Sequence, residues 1–211
     1  PGSPALELSY TGSLGGLMAL ADGRAEIAGC HLWDAESDSY NLPFIRRLLP
    51  GRAVKVVTLA HRRLGWIVAP GNPLRLSALA DLARPGLRFV TRQPGSGTRV
   101  WLDAPLGQAG LSPAQIRGYD DQRLTHSDVA RASAEGAADA GLGLESAARA
   151  FGLDFIFLVR ERYDLVMLAE TAQRPPVQAL IEWLASASGR QFIDQHPGYE
   201  SQASGQIQPI D

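Results

Sequence analysis

The sequence has a single cysteine, Cys30, and a single lysine, Lys55. One cysteine rules out a disulfide within the chain, and with it the class of small secreted domains stapled by disulfides. No apolar run approaches the roughly 20 residues that a membrane-spanning helix needs. No basic segment followed by an apolar one marks a secretory signal. The formal net charge is only -2, so nothing in the charge balance points to nucleic acid or to an anionic membrane surface. The location read from these absences is cytoplasmic, or periplasmic if an upstream signal peptide has been removed.

Several catalytic and metal-binding patterns are also missing. His31, His61, His126 and His196 lack metal-ligand spacing, so each is expected to be structural or exposed. Asp34, Glu36 and Asp38 alternate as in a calcium loop, but Ser39 stands where that loop needs glycine and Ile45 where it needs glutamate. Gly95-Ser96-Gly97 is flanked by Pro94 and Thr98, which does not fit a nucleophile elbow. Lys55 has no glycine-rich phosphate-loop context. The reading is a binding protein without a resident cofactor rather than an enzyme. Trp33, Trp66, Trp101 and Trp183 are expected to pack cores, and Arg46-Arg47 and Arg62-Arg63 to be solvated faces.

What remains is an ordinary soluble composition, 45% hydrophobic over 211 residues, enough for a sizeable core. Strands and helices alternate. Leu6 to Tyr10 reads as a strand running into Thr11-Gly12-Ser13, with Ser13 as the cap of a helix stopped by Gly23. Ala25 to Leu32 reads as a buried strand, and Pro43 to Leu49 as a short helix. Val54–Leu59 and Leu64–Ala69 read as two strands, as do Phe155–Val159 and Tyr163–Leu168. Helices are expected at Ala78–Ala83, Asp128–Glu135, Glu145–Phe151, Val177–Leu184 and Gly189–Gln195, and an irregular tail from Gly198.

The central stretch is Thr91-Arg92-Gln93-Pro94-Gly95-Ser96-Gly97-Thr98-Arg99, which follows the strand Leu87–Val90 and opens a helix. A glycine-rich turn at a helix N-terminus aims backbone N–H groups at an anion. Ser96 and Thr98 add hydroxyl donors. The loop has no carboxylate, so it suits an oxyanion that only accepts hydrogen bonds and should discriminate against protonated phosphate. The pattern Ala-acid-Gly-x-Ala-acid occurs at residues 21–26 and again at 134–139, each time between a helix end and a buried strand. It suggests two similar α/β lobes facing one cleft.

Several motifs together carry a family resemblance: Thr11-Gly12-Ser13-Leu14-Gly15-Gly16, Tyr40-Asn41-Leu42-Pro43, Ala69-Pro70-Gly71-Asn72-Pro73, Gly95-Ser96-Gly97-Thr98-Arg99, Ala138-Asp139-Ala140-Gly141-Leu142-Gly143 and Arg162-Tyr163-Asp164-Leu165-Val166. With these the chain resembles the periplasmic-binding-protein-like domain related to molybdate- and tungstate-binding proteins. The resemblance implies a type II binding fold of two α/β lobes joined by two crossing strands. Lobe 1 would comprise residues 1–63 and 165–211, and lobe 2 residues 64–164. It also implies that the first strand–helix unit of that fold is missing.

By resemblance the ligand is molybdate or tungstate, held by Ser13, Arg92, Ser96, Gly97, Thr98 and Tyr163. Relatives usually carry an acidic residue in the central loop, where Gln93 and Pro94 stand here. The resemblance further implies fusion to a helix-turn-helix or molybdopterin-biosynthesis domain, with this segment itself touching neither nucleic acid nor membrane. The alternatives are an effector domain for a small organic carboxylate and a non-binding structural domain of a molybdopterin-pathway protein.

Overall fold

Two strands of fifteen residues form the spine of the molecule, β4 (Val54–Val68) and β8 (Asp154–Leu168), paired antiparallel along their whole lengths. A computed structural model describes residues 6–210. Each long strand replaces a pair of shorter ones expected from the apolar runs. The polar residues between those runs do not break the strand, because their side chains alternate across the sheet and find partners on the neighbouring strand. Arg62 stands opposite Glu161 and Ala60 opposite Tyr163, while small register shifts after Thr58 and Leu64 absorb the twist.

Before β4 the chain runs through α1 (Gly12–Ala21), β1 (Ile27–Cys30), the small hairpin β2 (Trp33–Asp34) and β3 (Ser39–Tyr40), and α2 (Leu42–Leu48). Between the long strands lie β5 (Phe89–Arg92), α3 (Gly97–Gln108), β6 (Gln122–Arg123), α4 (His126–Ala134), β7 (Ala140–Leu144) and α5 (Glu145–Ala150). The single turn of 3-10 helix at Leu79–Ala83 replaces the expected α-helix there. After β8 come α6 (Ala169–Ala172), α7 (Pro175–Ala185), α8 (Ala187–Asp194), β9 (Tyr199–Glu200) and β10 (Ile207–Gln208).

The result is a mixed, curled eight-stranded sheet in the order β1-β8-β4-β7-β5-β6, with β9 and β10 also on β4. Near one end of the spine, Val56 packs with Leu17, Leu20 and Cys30 under α1, while its neighbour Val57 packs with Met167, Val177 and Leu184 on the other face. The far end repeats the arrangement. Trp66 packs with Phe89, Leu102 and Leu142, and Ile67 with Val90, Val129 and Ala148. The spine therefore carries a core on both faces at both ends, which explains its near-continuous apolar runs.

Two expectations about the chain ends are corrected. Leu6 to Tyr10 forms no strand; Leu6, Leu8 and Tyr10 are exposed and pair with no strand. The region after Gly198 is not wholly irregular, since β9 and β10 add to β4. The repeated Ala-acid-Gly pattern has a local explanation. After α1, Gly23 at φ +70° lets Arg24 N–H reach Ala19 O at 2.8 Å. After α4, Gly136 at φ +70° lets Ala137 N–H reach Ala132 O at 2.9 Å. Both are left-handed helix stops of the same kind.

Candidate functional site

The turns opening α1 and α3 meet face to face. Leu14 N–H donates to Gly95 O at 3.1 Å, so the backbone of one turn holds the other. Thr11, not Ser13, occupies the N-cap of α1. Ser13 lies inside the first turn, and its buried hydroxyl accepts from His31 N–H at 3.2 Å. Across the interface, Gly97 presses on the same residue. A Cβ at position 97 would lie 2.4 Å from His31 O and 2.5 Å from His31 Nδ1. His31 is thus the point where the two turns converge.

Behind His31 sits a buried charge cluster. His31 Nδ1–H donates to Glu161 Oε2 at 2.9 Å, and the Arg62 guanidinium donates to Glu161 Oε1. Arg62 and Glu161 are only 6% and 2% exposed, which overturns the expectation of Arg62 as a solvated face. The physical reason is the ladder register: Glu161 lies directly across from Arg62 and supplies the opposite charge that burial demands. Tyr163, one position along on the same face, receives Arg62 at 4.0 Å over its ring and meets the His31 ring edge-on at 5.6 Å. Burial raises that phenol above its ordinary range, against the opposing pull of the Arg62 charge.

Burial pushes Glu161 upward, but Arg62 and then His31 outweigh it and hold the carboxyl well below the usual range. Arg92, at the end of β5, is brought down to about 10 by burial and then by the nearby Arg62 charge. It donates through Nε to Gln93 Oε1 and Arg123 O, both at 3.2 Å. His31 is lowered by burial against the opposing pull of Glu161. His126 is lowered further, by burial and then by Arg92 and Arg62. The positive charges of Arg62 and Arg92 are opposed by the Glu161 carboxylate and, at Arg92, by Asp128 at the start of α4.

The central loop divides its groups between structure and availability. Ser96 caps α3, accepting from Arg99 N–H at 3.2 Å and donating to Gln93 O at 2.8 Å. Arg99 turns away to Asp103 and Tyr119. Thr98 Oγ1 is buried with no partner among the described residues, and so are Arg62 Nε and His126 Nδ1. Arg62 and His126, though not Thr98, also line a cavity of about 360 Å³, whose other polar residues are Ser127 and Ser146. Thr125 and Asp128 form a capping box that fixes the α4 N-terminus, carrying His126 and Ser127.

Of the six residues expected from sequence, Ser13, Gly97 and Tyr163 contact His31, and Arg92 feels the charges of Arg62 and Glu161. Ser96 serves as the α3 cap, and Thr98 Oγ1 is buried without a partner among the described residues. The cluster itself is built on His31, Arg62 and Glu161. Sequence reasoning missed those three, together with His126. Only the Thr125-x-x-Asp128 box offered a local signal. Among the described residues no group of three or more His, Cys, Asp or Glu could hold a metal ion, and no helix is long and apolar enough to cross a membrane.

The neutral histidines make stability depend on pH. A pKa lower in the folded than in the unfolded chain means the unfolded chain takes up protons first as pH falls. The stability contributed by His31 and His126 is therefore fully present above the ordinary value of 6.5 and declines below it. Each histidine contributes a slope of up to about 1.4 kcal/mol per pH unit. The midpoint of thermal unfolding should fall between pH 6.5 and 5; a flat midpoint over that range would refute neutral burial.

A family model described as a PBP superfamily domain matches residues 2–185. The protein YvgK of Bacillus subtilis is 36% identical over 198 residues, covering 94% of this chain and 64% of YvgK. The molybdate-binding protein ModA of Mycobacterium tuberculosis is 31% identical over 140 residues, covering 61% of this chain and 51% of ModA. The chain thus spans less than two thirds of the length of either relative. Among solved structures, a putative phosphate ABC transporter substrate-binding protein with bound phosphate from Clostridium perfringens superposes with a TM-score of 0.64 at 13% identity. That match covers 90% of this chain and 84% of the other, and shows the shared fold.

Proposed function

We propose that this chain, which belongs to the PBP superfamily, binds a small oxyanion where the α3 and α4 N-terminal turns face the α1 turn. The observation that carries this is a set of buried polar atoms without a partner among the described residues, beside the two arginines Arg62 and Arg92. They are Arg62 Nε and His126 Nδ1, from two residues of one cavity, and Thr98 Oγ1 in the α3 turn. Buried donors left without acceptors are costly, and an anion would satisfy several at once. Charge-assisted bonds net roughly 1.5–3 kcal/mol each, so four or five support micromolar affinity after the cost of association.

The ligand closest to this chemistry in a named relative is molybdate, for ModA. Both oxygens of Glu161 already accept hydrogen bonds, and the central loop has no carboxylate, so a protonated phosphate would gain no carboxylate acceptor from that loop. Molybdate and tungstate need only donors. On this reading the two halves of the spine carry two lobes, residues 1–63 with 165–211 and residues 64–164, that close on the anion. A fused module would read that closure as a signal through tighter binding to the closed form.

Isothermal calorimetry with molybdate, tungstate, sulfate and phosphate tests the reading. Arg92→Ala should weaken oxyanion binding roughly 10- to 100-fold, in line with the loss of one charge-assisted bond. Thr98→Ala should weaken it less without touching the helix cap, whereas Ser96→Ala also removes the cap at a cost of about 1 kcal/mol. Binding that survives Arg92→Ala unchanged would dismiss this site.

A further inference from the structure

The cavity has a mixed lining. Arg62, His126, Ser127 and Ser146 supply polar groups, and Leu144, Ala147 and Ala150 supply an aliphatic wall, with Tyr199 also at the cavity. The three aliphatic residues recur every third position from the N-cap of α5 to its last residue and so share a face. Two of them are alanines, which leaves the apolar side roomy. A volume of about 360 Å³ lies within the range of small organic ligand pockets, on the order of 300–1,000 Å³. A liquid water occupies about 30 Å³. A five-atom oxyanion on the polar side would therefore leave most of the cavity as water against apolar wall.

Tyr199 reaches this position by a definite route. Gly198 O accepts from Arg63 N–H at 2.8 Å, and Tyr199 then pairs directly across the ladder from Arg62. Glu200 ties down the strand through an ion pair with Arg160 at 2.7 Å. Glu161, Arg62 and Tyr199 thus form one row across three adjacent strands. The Arg62 guanidinium lies 6.0 Å from the Tyr199 ring as well as 4.0 Å from that of Tyr163. Tyr199 also lies beyond residues 2–185, the part of the chain matched by the family model.

From this geometry we infer that the cavity takes an oxyanion bearing a short apolar arm, such as a small organic acid, and that Tyr199 is a specificity-determining wall against which the arm packs. The inference rests on the oxyanion reading above and names the ligand class within it. The anionic head meets Arg62, His126 and the two serines. The arm covers Leu144, Ala147 and the face of Tyr199. Each methylene buried there strengthens binding on the order of fourfold.

The test is calorimetry with paired probes that keep one head and vary the arm: sulfate, propanesulfonate and benzenesulfonate, then acetate, butyrate and benzoate, with molybdate as a bare reference. The wild-type protein should prefer benzenesulfonate over sulfate and butyrate over acetate by tenfold or more. Tyr199→Ala should reduce those ratios severalfold, while Tyr199→Phe retains them. Ala150→Leu, a change at an exposed position of the cavity mouth, should reduce the same ratios by filling the space of the arm. Bare ions binding as tightly as their armed counterparts would overturn the inference and leave the oxyanion reading standing. Ratios unchanged in both Tyr199→Ala and Ala150→Leu would overturn it as well. If none of the probes binds, the oxyanion reading itself falls.

Discussion

Replacing Glu161 with alanine is expected to lower the thermal unfolding midpoint by roughly 10 °C, the largest stability loss of any single change in the buried charge cluster. The carboxylate is 2% exposed and bonded on both oxygens, to the Arg62 guanidinium and to His31 Nδ1. Its removal leaves Arg62 buried beside the Arg92 charge with nothing to oppose it. Truncating one partner of a buried pair costs about 3–5 kcal/mol, and in a chain of this size each kcal/mol moves the midpoint about 2–4 °C. A surface pair offers the contrast. Arg24 and Asp22 meet at 2.8 Å with both side chains more than half exposed, and Asp22→Ala should leave the midpoint within about 2 °C. An added oxyanion should recover more of the midpoint in Glu161→Ala than it adds to the wild type, because it supplies the missing negative charge. A drop under 2 °C for Glu161→Ala would mean that Arg62 is not held by this pair.

The fate of Glu161 also shows what could be read from the sequence and what could not. The turns at Ser13 and Ser96 to Thr98 were legible because their chemistry is local: glycines and hydroxyls beside a helix start. The helix stops at Gly23 and Gly136 were legible for the same reason. Glu161 and Arg62 lie 99 residues apart, and nothing near either one names the other. Their pairing follows from the register of two fifteen-residue strands, which exists only once both strands are known to be continuous. The polar residues between the apolar runs argued for a break at His61 to Arg63, and that break concealed the pairing.

Leu6 to Tyr10 failed in the opposite direction. Its alternating pattern suits a strand, but a strand also needs a neighbouring edge, and a local pattern carries no information about one. Ser13 shows a subtler limit. The residue was expected to cap α1 and to bind the ligand, yet its hydroxyl receives His31 N–H rather than capping the helix, since the cap position falls to Thr11. Tyr199 lay in a stretch read as irregular, and its place in the cavity depends on two residues of edge strand that add to β4.

Gly97→Ala is the second change expected to have a large effect, and its effect should fall on binding rather than on helix α3. Gly97 does not sit at positive φ, so alanine is acceptable to the backbone there. A methyl group at that point meets His31 O at 2.4 Å and His31 Nδ1 at 2.5 Å. The first is backbone, and the second is the atom bonded to Glu161, so neither can move without loss. The strain is relieved only when the α3 turn backs away from His31, which also parts it from the α1 turn. Overpacking of this kind costs about 1–3 kcal/mol. If that cost falls only on the closed arrangement, oxyanion affinity should drop roughly 5- to 150-fold. Calorimetry measures the loss, and small-angle scattering should report a larger radius of gyration for the unliganded variant. Gly107→Ala is the control on the same helix. A Cβ there meets nothing within 4 Å, so the change should stabilise by about 0.5–1 kcal/mol through helix propensity and leave binding alone. Wild-type affinity in Gly97→Ala would show that contact between the two turns does not govern binding.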